Sequence, residues 1–483
     1  DRVMVMYAGR IVEGTATETL FAEMRHPYTA ALLDSIPRLD KSRSERLAAI
    51  PGMPPDLTRR PPGCAFAPRC GNALDDCHQH VPPLGPDAGA SGALSHEFAC
   101  FHPVPAARGG PPADRPTRVE VREPGAVATR ASADRRGETI LELTNLVKEY
   151  PVATGSPVRR TKASVKAVSG VSFSVGRGET FGLVGESGCG KTTIGRLTAA
   201  LERPSAGSVR FDGEDLARIS AAALRRRRKD LQLMFQDPYA SLDPRMNVRA
   251  IVSEPLVSQR VGDRRSREAR VAELLGEVGL PARVASLYPH EFSGGQRQRI
   301  GFARALALNP SLIVADEPVS ALDVSIQAQI INLMRSLQER HGLTYIVISH
   351  DLAVVKYLAD RIGVMYLGKL VELASGEDLY SRPAHPYTRG LIDTVPVPDP
   401  ALSRRVGAPA VRGELPSPVN PPSGCRYRTR CPAAQERCSA EEPPLRAFGP
   451  GHVAACHFPL RRPLGDLDLA GAVRADGATG TGI

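Results

Sequence analysis

The chain has no tryptophan, few aromatic residues of any kind (5% of 483) and no run approaching the about 20 consecutive apolar residues that a bilayer-spanning helix needs. Any membrane contact is therefore expected to be peripheral. The first residue is Asp1 and no charged-then-apolar leader follows it, so no secretion signal is expected. What is present, 42% hydrophobic and 24% charged residues, is ample for a buried core and too long for one compact unit. A net charge of +10 raises the question of nucleic acid, most sharply at Arg225-Arg226-Arg227-Arg228-Lys229. No aromatic residues interleave that run, as single-strand binding would want. It follows Ala221-Ala222-Ala223-Leu224 and precedes the apolar strand pattern Leu231-Gln232-Leu233-Met234-Phe235, so it reads as a solvated helix end and no nucleic-acid partner is expected.

Against that background one string stands out. Gly185-Glu186-Ser187-Gly188-Cys189-Gly190-Lys191-Thr192 fits G-x-x-x-x-G-K-[ST], between a strand expected over Thr180–Val184 and a helix expected from Thr193 to Leu201. Glycines let backbone N–H groups converge on phosphate oxygens, and the helix N-terminus adds partial positive charge. Lys191 is expected to bridge the terminal phosphates and the Thr192 hydroxyl to ligate magnesium. Cys189 reads as a small spacer that could expose the loop to alkylation. Leu312–Ala315 is a short apolar strand that ends in Asp316 and Glu317, which places two carboxylates beside the phosphates. Tyr150, upstream, offers a flat ring on which adenine could stack, although the basic, proline-containing insert from Pro151 to Lys166 separates it from the loop.

Further along come Gln236 after the strand Leu231–Phe235, Ser293-Gly294-Gly295-Gln296 before a helix, Ser320-Ala321-Leu322-Asp323, and His350 after the strand Tyr345–Ile348. In this order the motifs resemble the nucleotide-binding subunits of ABC transporters, without a gap from about Thr139 to Gly368. The resemblance implies an α/β P-loop NTPase fold of ABC type, with a mixed sheet core, a helical subdomain and a Cys-rich C-terminal extension. It implies that Asp316 and Gln236 join Thr192 around magnesium, that Glu317 polarises the attacking water, and that His350 contacts the γ-phosphate. It further implies that Ser293, Gly294, Gly295, Gln296 and Asp323 close over nucleotide held by an opposing module together with its 185–193 loop, so that catalysis needs a second core. After this seam Ile326, Ile330, Leu333, Met334 and Leu337 recur at helical spacing and read as core packing.

The chain also repeats itself. Asp1-Arg2-Val3-Met4-Val5-Met6-Tyr7 returns as Asp360-Arg361-Ile362-Gly363-Val364-Met365-Tyr366, and His26-Pro27-Tyr28-Thr29 as His385-Pro386-Tyr387-Thr388. Each copy reaches a cysteine quartet that opens C-x5-C-x6-C: Cys64, Cys70, Cys77, Cys100 and Cys425, Cys431, Cys438, Cys456. In a reducing compartment such quartets ask for a metal rather than disulfides. The spacing lacks the close ligand pairs usual for zinc, and four thiolates can equally hold a four-iron, four-sulfur cluster. The His-Pro-Tyr-Thr element with this quartet resembles the C-terminal extension of oligopeptide, dipeptide, nickel and glutathione importer ATPases, which implies an iron–sulfur cluster, with zinc as the alternative. His96, His102, His452 and His457, near the fourth cysteines, are expected to support the metal from outside its ligand set at most.

The expected organisation is a tail of a first module over residues 1–103, a linker over 104–138, a complete core over 139–370 with its helical subdomain at about 237–310, an extension over 371–460 and a frayed tail over 461–483. The chain is expected to be the C-terminal part of a two-module fusion; a relic that never had a first core is the alternative. The resemblance implies an ATP- and magnesium-dependent subunit that energises peptide-type import from the cytoplasmic face of the plasma membrane. Its implied partners are two membrane permease subunits, an extracytoplasmic substrate-binding protein and a second ABC module, either the first core or another copy. A soluble ABC ATPase acting on nucleic acid or ribosomes is the competing class.

Overall fold

The computed structural model describes residues 1–39, 45–55, 57, 59–86, 96–105, 137–154, 161–237, 241–400, 411 and 413–461. Apart from a few boundary residues, the linker and frayed tail expected from the sequence lie outside these. The chain forms two compact units: Asp1–Ala126 with Asp323–Asn332 and Pro396–Gly407, and Val127–Leu322 with Leu333–Val395 and Ala408–Ile483.

The larger unit is built on an eight-stranded sheet. Five parallel strands lie side by side in the order Leu231–Met234, Leu312–Asp316, Thr344–Ser349, Thr180–Val184 and Arg361–Tyr366. Three of these, Thr180–Val184, Leu312–Asp316 and Thr344–Ser349, are buried along their whole length, as strands covered on both faces must be. Parallel strands share one C-terminal edge, and loops leaving that edge are where ligands bind in open α/β sheets. The four neighbours ending at Met234, Asp316, Ser349 and Val184 therefore deliver Gln236, Glu317, His350 and the glycine loop to one place. A separate antiparallel sheet pairs Thr139–Thr154 with Thr161–Gly176 and Ala206–Phe211. The basic insert beginning at Pro151 thus lengthens a hairpin, in which Pro151 pairs with Ser164 and Tyr150 with Val165. Stacking of Phe173 on Phe181 at 4.5 Å ties the two sheets into one core.

The cysteine-bearing extension is continuous with this core. Lys369–Ser375 runs antiparallel to Arg361–Tyr366, and His452–Ala455 and Leu445–Gly449 complete the sheet beyond it. The smaller unit repeats the arrangement by itself: Arg2–Tyr7, Arg10–Ala16, Glu97–Phe98 and Gly85–Pro86 form a sheet in the corresponding order. Even the irregularity recurs, between Val5 and Met6 and between Val364 and Met365. Both hairpins turn on two residues of positive φ, Ala8-Gly9 and Leu367-Gly368, which matches the twist that a two-residue connection needs.

The arginine run is the helix end that its context predicts. Ser220 caps Ala221–Arg227, accepting from the Ala223 N–H, and Arg227 pairs with Glu214 at 2.8 Å. Arg225 and Arg228 donate to the carbonyls of Ser258 and Ala200. The stripe from Ile326 to Leu337 is buried at Ile326, Ile330, Met334 and Leu337, with Leu333 half-buried, along the helix Val324–His341.

Candidate active site

The glycine loop leaves Val184 and enters the helix Lys191–Thr198. Two glycines are sterically required. A Cβ at Gly185 (φ +147°) would lie 2.2 Å from the Met365 carbonyl oxygen, and one at Gly190 (φ +107°) 2.2 Å from that of Ala167. Gly188 also turns with positive φ, leaving Ser187 and Thr193 to flank the cradle. Lys191 is 5% exposed and its ammonium donates to the carbonyls of Gly185 at 2.7 Å and Glu186 at 2.9 Å. The Thr192 hydroxyl donates to Asp316 at 3.3 Å. Burial pushes the Asp316 carboxyl up and the Glu317 charge adds to it, while the Thr192 hydrogen bond pulls it down. A divalent cation beside Thr192 and Asp316 would relieve that charge crowding, which is what the sequence assigns them to do.

Glu317 is the meeting point of three strand ends. The Gln236 amide donates to its Oε2 at 2.8 Å, and His350 Nδ1 lies 3.0 Å from its Oε1. Its backbone holds a left-handed φ of 48°, a conformation that costs a non-glycine residue about 1–3 kcal/mol and persists where surroundings impose it. Here the Glu317 N–H donates to the Ile348 carbonyl at 2.8 Å and the Ser320 hydroxyl donates to the Glu317 carbonyl at 3.2 Å. Burial raises the Glu317 carboxyl, but the opposing pull of His350, Gln236 and Ser320 prevails and leaves it below the ordinary carboxylate range. It is therefore ionised at neutral pH and fixed in direction, the state a water-polarising base requires.

The remaining sequence-assigned residues sit further out. Tyr150 donates its hydroxyl to Glu202 at 2.5 Å, feels a hydrogen bond from Thr193, and has Lys148 5.0 Å from its ring centroid. Ser293 caps the helix Gly294–Leu306 in a reciprocal pair: its side chain accepts from the Gln296 N–H, and its N–H donates to the Gln296 side chain. Gly295 is buried in the first turn, and a Cβ on Gly294 would meet the Leu322 side chain at 3.2 Å, so Ser293–Gln296 adjoins Leu322. Among the described residues no hydrogen bond joins Ser293–Gln296 to the 185–193 loop. Asp323 accepts from the Ser325 hydroxyl at 2.5 Å at the start of its helix. Cys189 is 1% exposed and burial raises its thiol, so the spacer role holds and ready alkylation does not.

The two quartets are assembled alike. Cys64 donates its N–H to the Cys77 carbonyl and Cys425 its N–H to the Cys438 carbonyl, both at 2.8 Å. That approach requires Gly63 and Gly424, where a Cβ would stand 2.3 Å and 2.4 Å from those same oxygens. Cys64, Cys70, Cys77 and Cys100 line one small cavity with Pro27, Phe66 and Phe101, and Cys456 feels Cys425, Cys431 and Cys438 together. Burial pushes the Cys100 and Cys456 thiols up to about 12. Among the described residues, the one set of three ligand atoms within 4.8 Å of each other is that of Asp76, Cys77 and His102. The second copy puts Arg437 and Phe458 at the first and last of those positions, so this set is not part of the repeated design.

The four histidines, expected to support a metal from outside its ligand set at most, all face oxygen partners. His96 and His452 bond to buried carboxylates, Glu13 at 2.7 Å and Glu372 at 2.8 Å, rather than to thiols. Those carboxylates also accept the backbone N–H groups of Arg25 and His26, or Ala384 and His385. His457 faces the Glu441 carbonyl and His102 the Asp76 carboxylate. Glu13 and Glu372 escaped sequence reasoning although both lie in the repeat, where a shared glutamate in an otherwise apolar strand was the available signal. Arg430 also escaped it. This residue, next to Cys431, forms a two-pronged ion pair with Glu186 of the glycine loop at 2.6 and 2.9 Å.

The family model described as ABC transporter matches residues 168–320, and that described as oligopeptide/dipeptide transporter, C-terminal region, matches twice, at 12–77 and 371–438. The oligopeptide transport ATP-binding protein AppF of Bacillus subtilis (strain 168) is 53% identical over 322 residues, 66% of this chain and 98% of its own length. The oligopeptide transport ATP-binding protein OppD of Mycobacterium bovis is 46% identical over 401 residues, 83% of this chain and 63% of its own. Among solved structures, a dimeric ATP-binding cassette in a post-hydrolysis state bound to ADP and Pi is 30% identical, covers 49% of this chain and 98% of its own, and superposes with a TM-score of 0.44.

Proposed function

Because the chain belongs to the ABC transporter ATPases of the oligopeptide/dipeptide type, we propose that it couples ATP hydrolysis to import of peptides, or of related cargo such as nickel or glutathione, through membrane permease subunits. The observation that carries this reading is Glu317, ionised and held between Gln236 and His350 one residue after the Asp316–Thr192 pair. ATP with magnesium would sit on the 185–193 loop, with Thr192, Asp316 and Gln236 around the cation, Glu317 orienting water and His350 reading the γ-phosphate. Tyr150 would receive the adenine. No described helix is long and apolar enough to cross a membrane, so docking on permease subunits at the cytoplasmic face is the proposed mode of attachment, with an extracytoplasmic binding protein supplying cargo.

A second core is part of the proposal. Ser293–Gln296 and Asp323 would serve nucleotide held by the opposing module. The smaller unit supports this: Arg2–Tyr7 is an edge strand that exposes Met4 (56%) and Met6 (61%), whereas the corresponding strand Arg361–Tyr366 pairs in parallel with Thr180–Val184 and its Met365 is buried. That edge fits another core's glycine-loop strand.

The quartets fit a metal group. Eight thiols converge in two sets, and no three sulfurs of either set all lie within 4.8 Å of one another, whereas tetrahedral zinc with Zn–S bonds of about 2.3 Å needs its four sulfurs about 3.8 Å apart. The wider spacing favours a four-iron, four-sulfur cluster held by Cys64, Cys70, Cys77 and Cys100, and by Cys425, Cys431, Cys438 and Cys456, with zinc as the alternative. Such a cluster would supply a rigid staple and a redox-sensitive one.

The functional reading is tested by fractionating cells that produce the chain with its permeases. It should sediment with membranes and remain there after DNase and RNase treatment. Sedimentation with ribosomes or nucleic acid that nuclease abolishes would contradict import and favour a soluble ABC ATPase.

A further inference from the structure

One residue of the glycine loop is gripped from outside the ATPase core at two of its groups. The Glu186 N–H donates to the Tyr387 hydroxyl at 3.0 Å, and its carboxylate takes both prongs of Arg430, at 2.6 and 2.9 Å. The third group, its carbonyl, accepts from the Lys191 ammonium at 2.9 Å and from the Cys189 N–H at 3.3 Å. Tyr387 opens the helix of the His-Pro-Tyr-Thr element and Arg430 stands beside Cys431. Both therefore belong to the extension, more than 190 residues downstream of Glu186. Neither reaches the loop by accident of surface proximity. The Arg430 side chain is 7% exposed and lies 5.9 Å from the Tyr366 ring centroid, while Tyr387 is fully buried in a triangle with Tyr366 and Tyr427, at centroid distances of 4.8 and 5.2 Å.

The internal repeat supplies a control. Arg69 of the first copy stands before Cys70 as Arg430 stands before Cys431, and it keeps the equivalent aromatic partner, Tyr7. Among the described residues it pairs with no acid; it donates to the carbonyls of Pro51 and Ile50 at 2.9 and 3.4 Å. The arginine is thus a fixed part of the extension, and what distinguishes the second copy is that the glycine loop brings a carboxylate to it.

We propose that Arg430 and Tyr387 are positioning residues for the nucleotide: they neutralise and orient Glu186, so that the loop holding Lys191 accepts a polyphosphate without a facing free carboxylate. An unpaired Glu186 carboxylate would repel the triphosphate and swing the carbonyl to which Lys191 is anchored. This rests on the ATPase reading above.

The test is equilibrium binding of a fluorescent ATP analogue with magnesium to the full chain. Arg430→Met should weaken binding about ten-fold, the scale of one charged hydrogen-bonded contact. Adding Glu186→Gln to it should recover affinity to within about three-fold of the parent, because the uncompensated charge is gone. Tyr387→Phe, which keeps the ring packing and removes one acceptor, should weaken binding about three-fold and serves if the arginine variant folds poorly. Parental affinity in both single variants overturns the proposal, as does a double variant no better than Arg430→Met. A parent chain that binds no better than Lys191→Ala contradicts the ATPase reading and this proposal with it.

Discussion

Glu317, the proposed water-polarising base, shows how neighbours shape a single side chain. Its residue type is common at strand ends; its ionisation, fixed direction and left-handed backbone come from His350, Gln236, Ser320 and Ile348. Replacing it by glutamine preserves shape and hydrogen bonding but removes the base. Glu317→Gln, in a chain supplied with a second core, should bind ATP as the parent does and lose about 100- to 10,000-fold in turnover, measured by phosphate release. Undiminished release would remove Glu317 from its role. Most of this site was legible in advance, because Gly185–Thr192, Asp316, Glu317 and His350 lie in short contiguous strings with fixed strand contexts. Arg430 was not legible, since the Glu186 contact spans 244 residues and no local spacing reports it. Tyr387 was visible only as a repeated letter; its hydroxyl contact depends on the packing of Tyr366 and Tyr427 around it.

At the scale of elements, the repeated extension is a small fold with its own logic. In each copy a histidine caps its own helix, Nδ1 of His26 and His385 accepting from the Tyr28 and Tyr387 N–H groups at 3.0 Å, with proline in the first turn. Burial lowers both imidazoles to about 4, which keeps them neutral and able to accept. The buried glutamate next door accepts from two backbone donors and bonds a second histidine, so these groups are satisfied without the cysteines. The repeat itself was plain in the sequence. The continuation of its strands into the ATPase sheet was not, because Lys369–Ser375 pairs with His452–Ala455 across a stretch whose periodicity is broken by the cysteine loops. Protein purified without oxygen should be brown and contain about four irons per quartet if both sites fill. Colourless protein with stoichiometric zinc would overturn the cluster.

At the scale of the whole molecule, the two units differ in what they can do alone. The larger unit holds the glycine loop, Asp316, Glu317, His350 and Ser293–Gln296, and the smaller one carries the other copy of the extension together with Asp323–Asn332. The helix Gly294–Leu306 starts at an N-terminus capped by Ser293, and in the proposed pairing that end would complete the opposing module's nucleotide site. Under the proposed pairing, hydrolysis is a property of paired cores. The most direct measurement is ATP turnover per chain across a dilution series, with the mass of the species followed in parallel. Turnover should fall steeply as chains separate into monomers and return when a second core is added. Constant turnover by a monomer at the lowest concentrations would contradict the account.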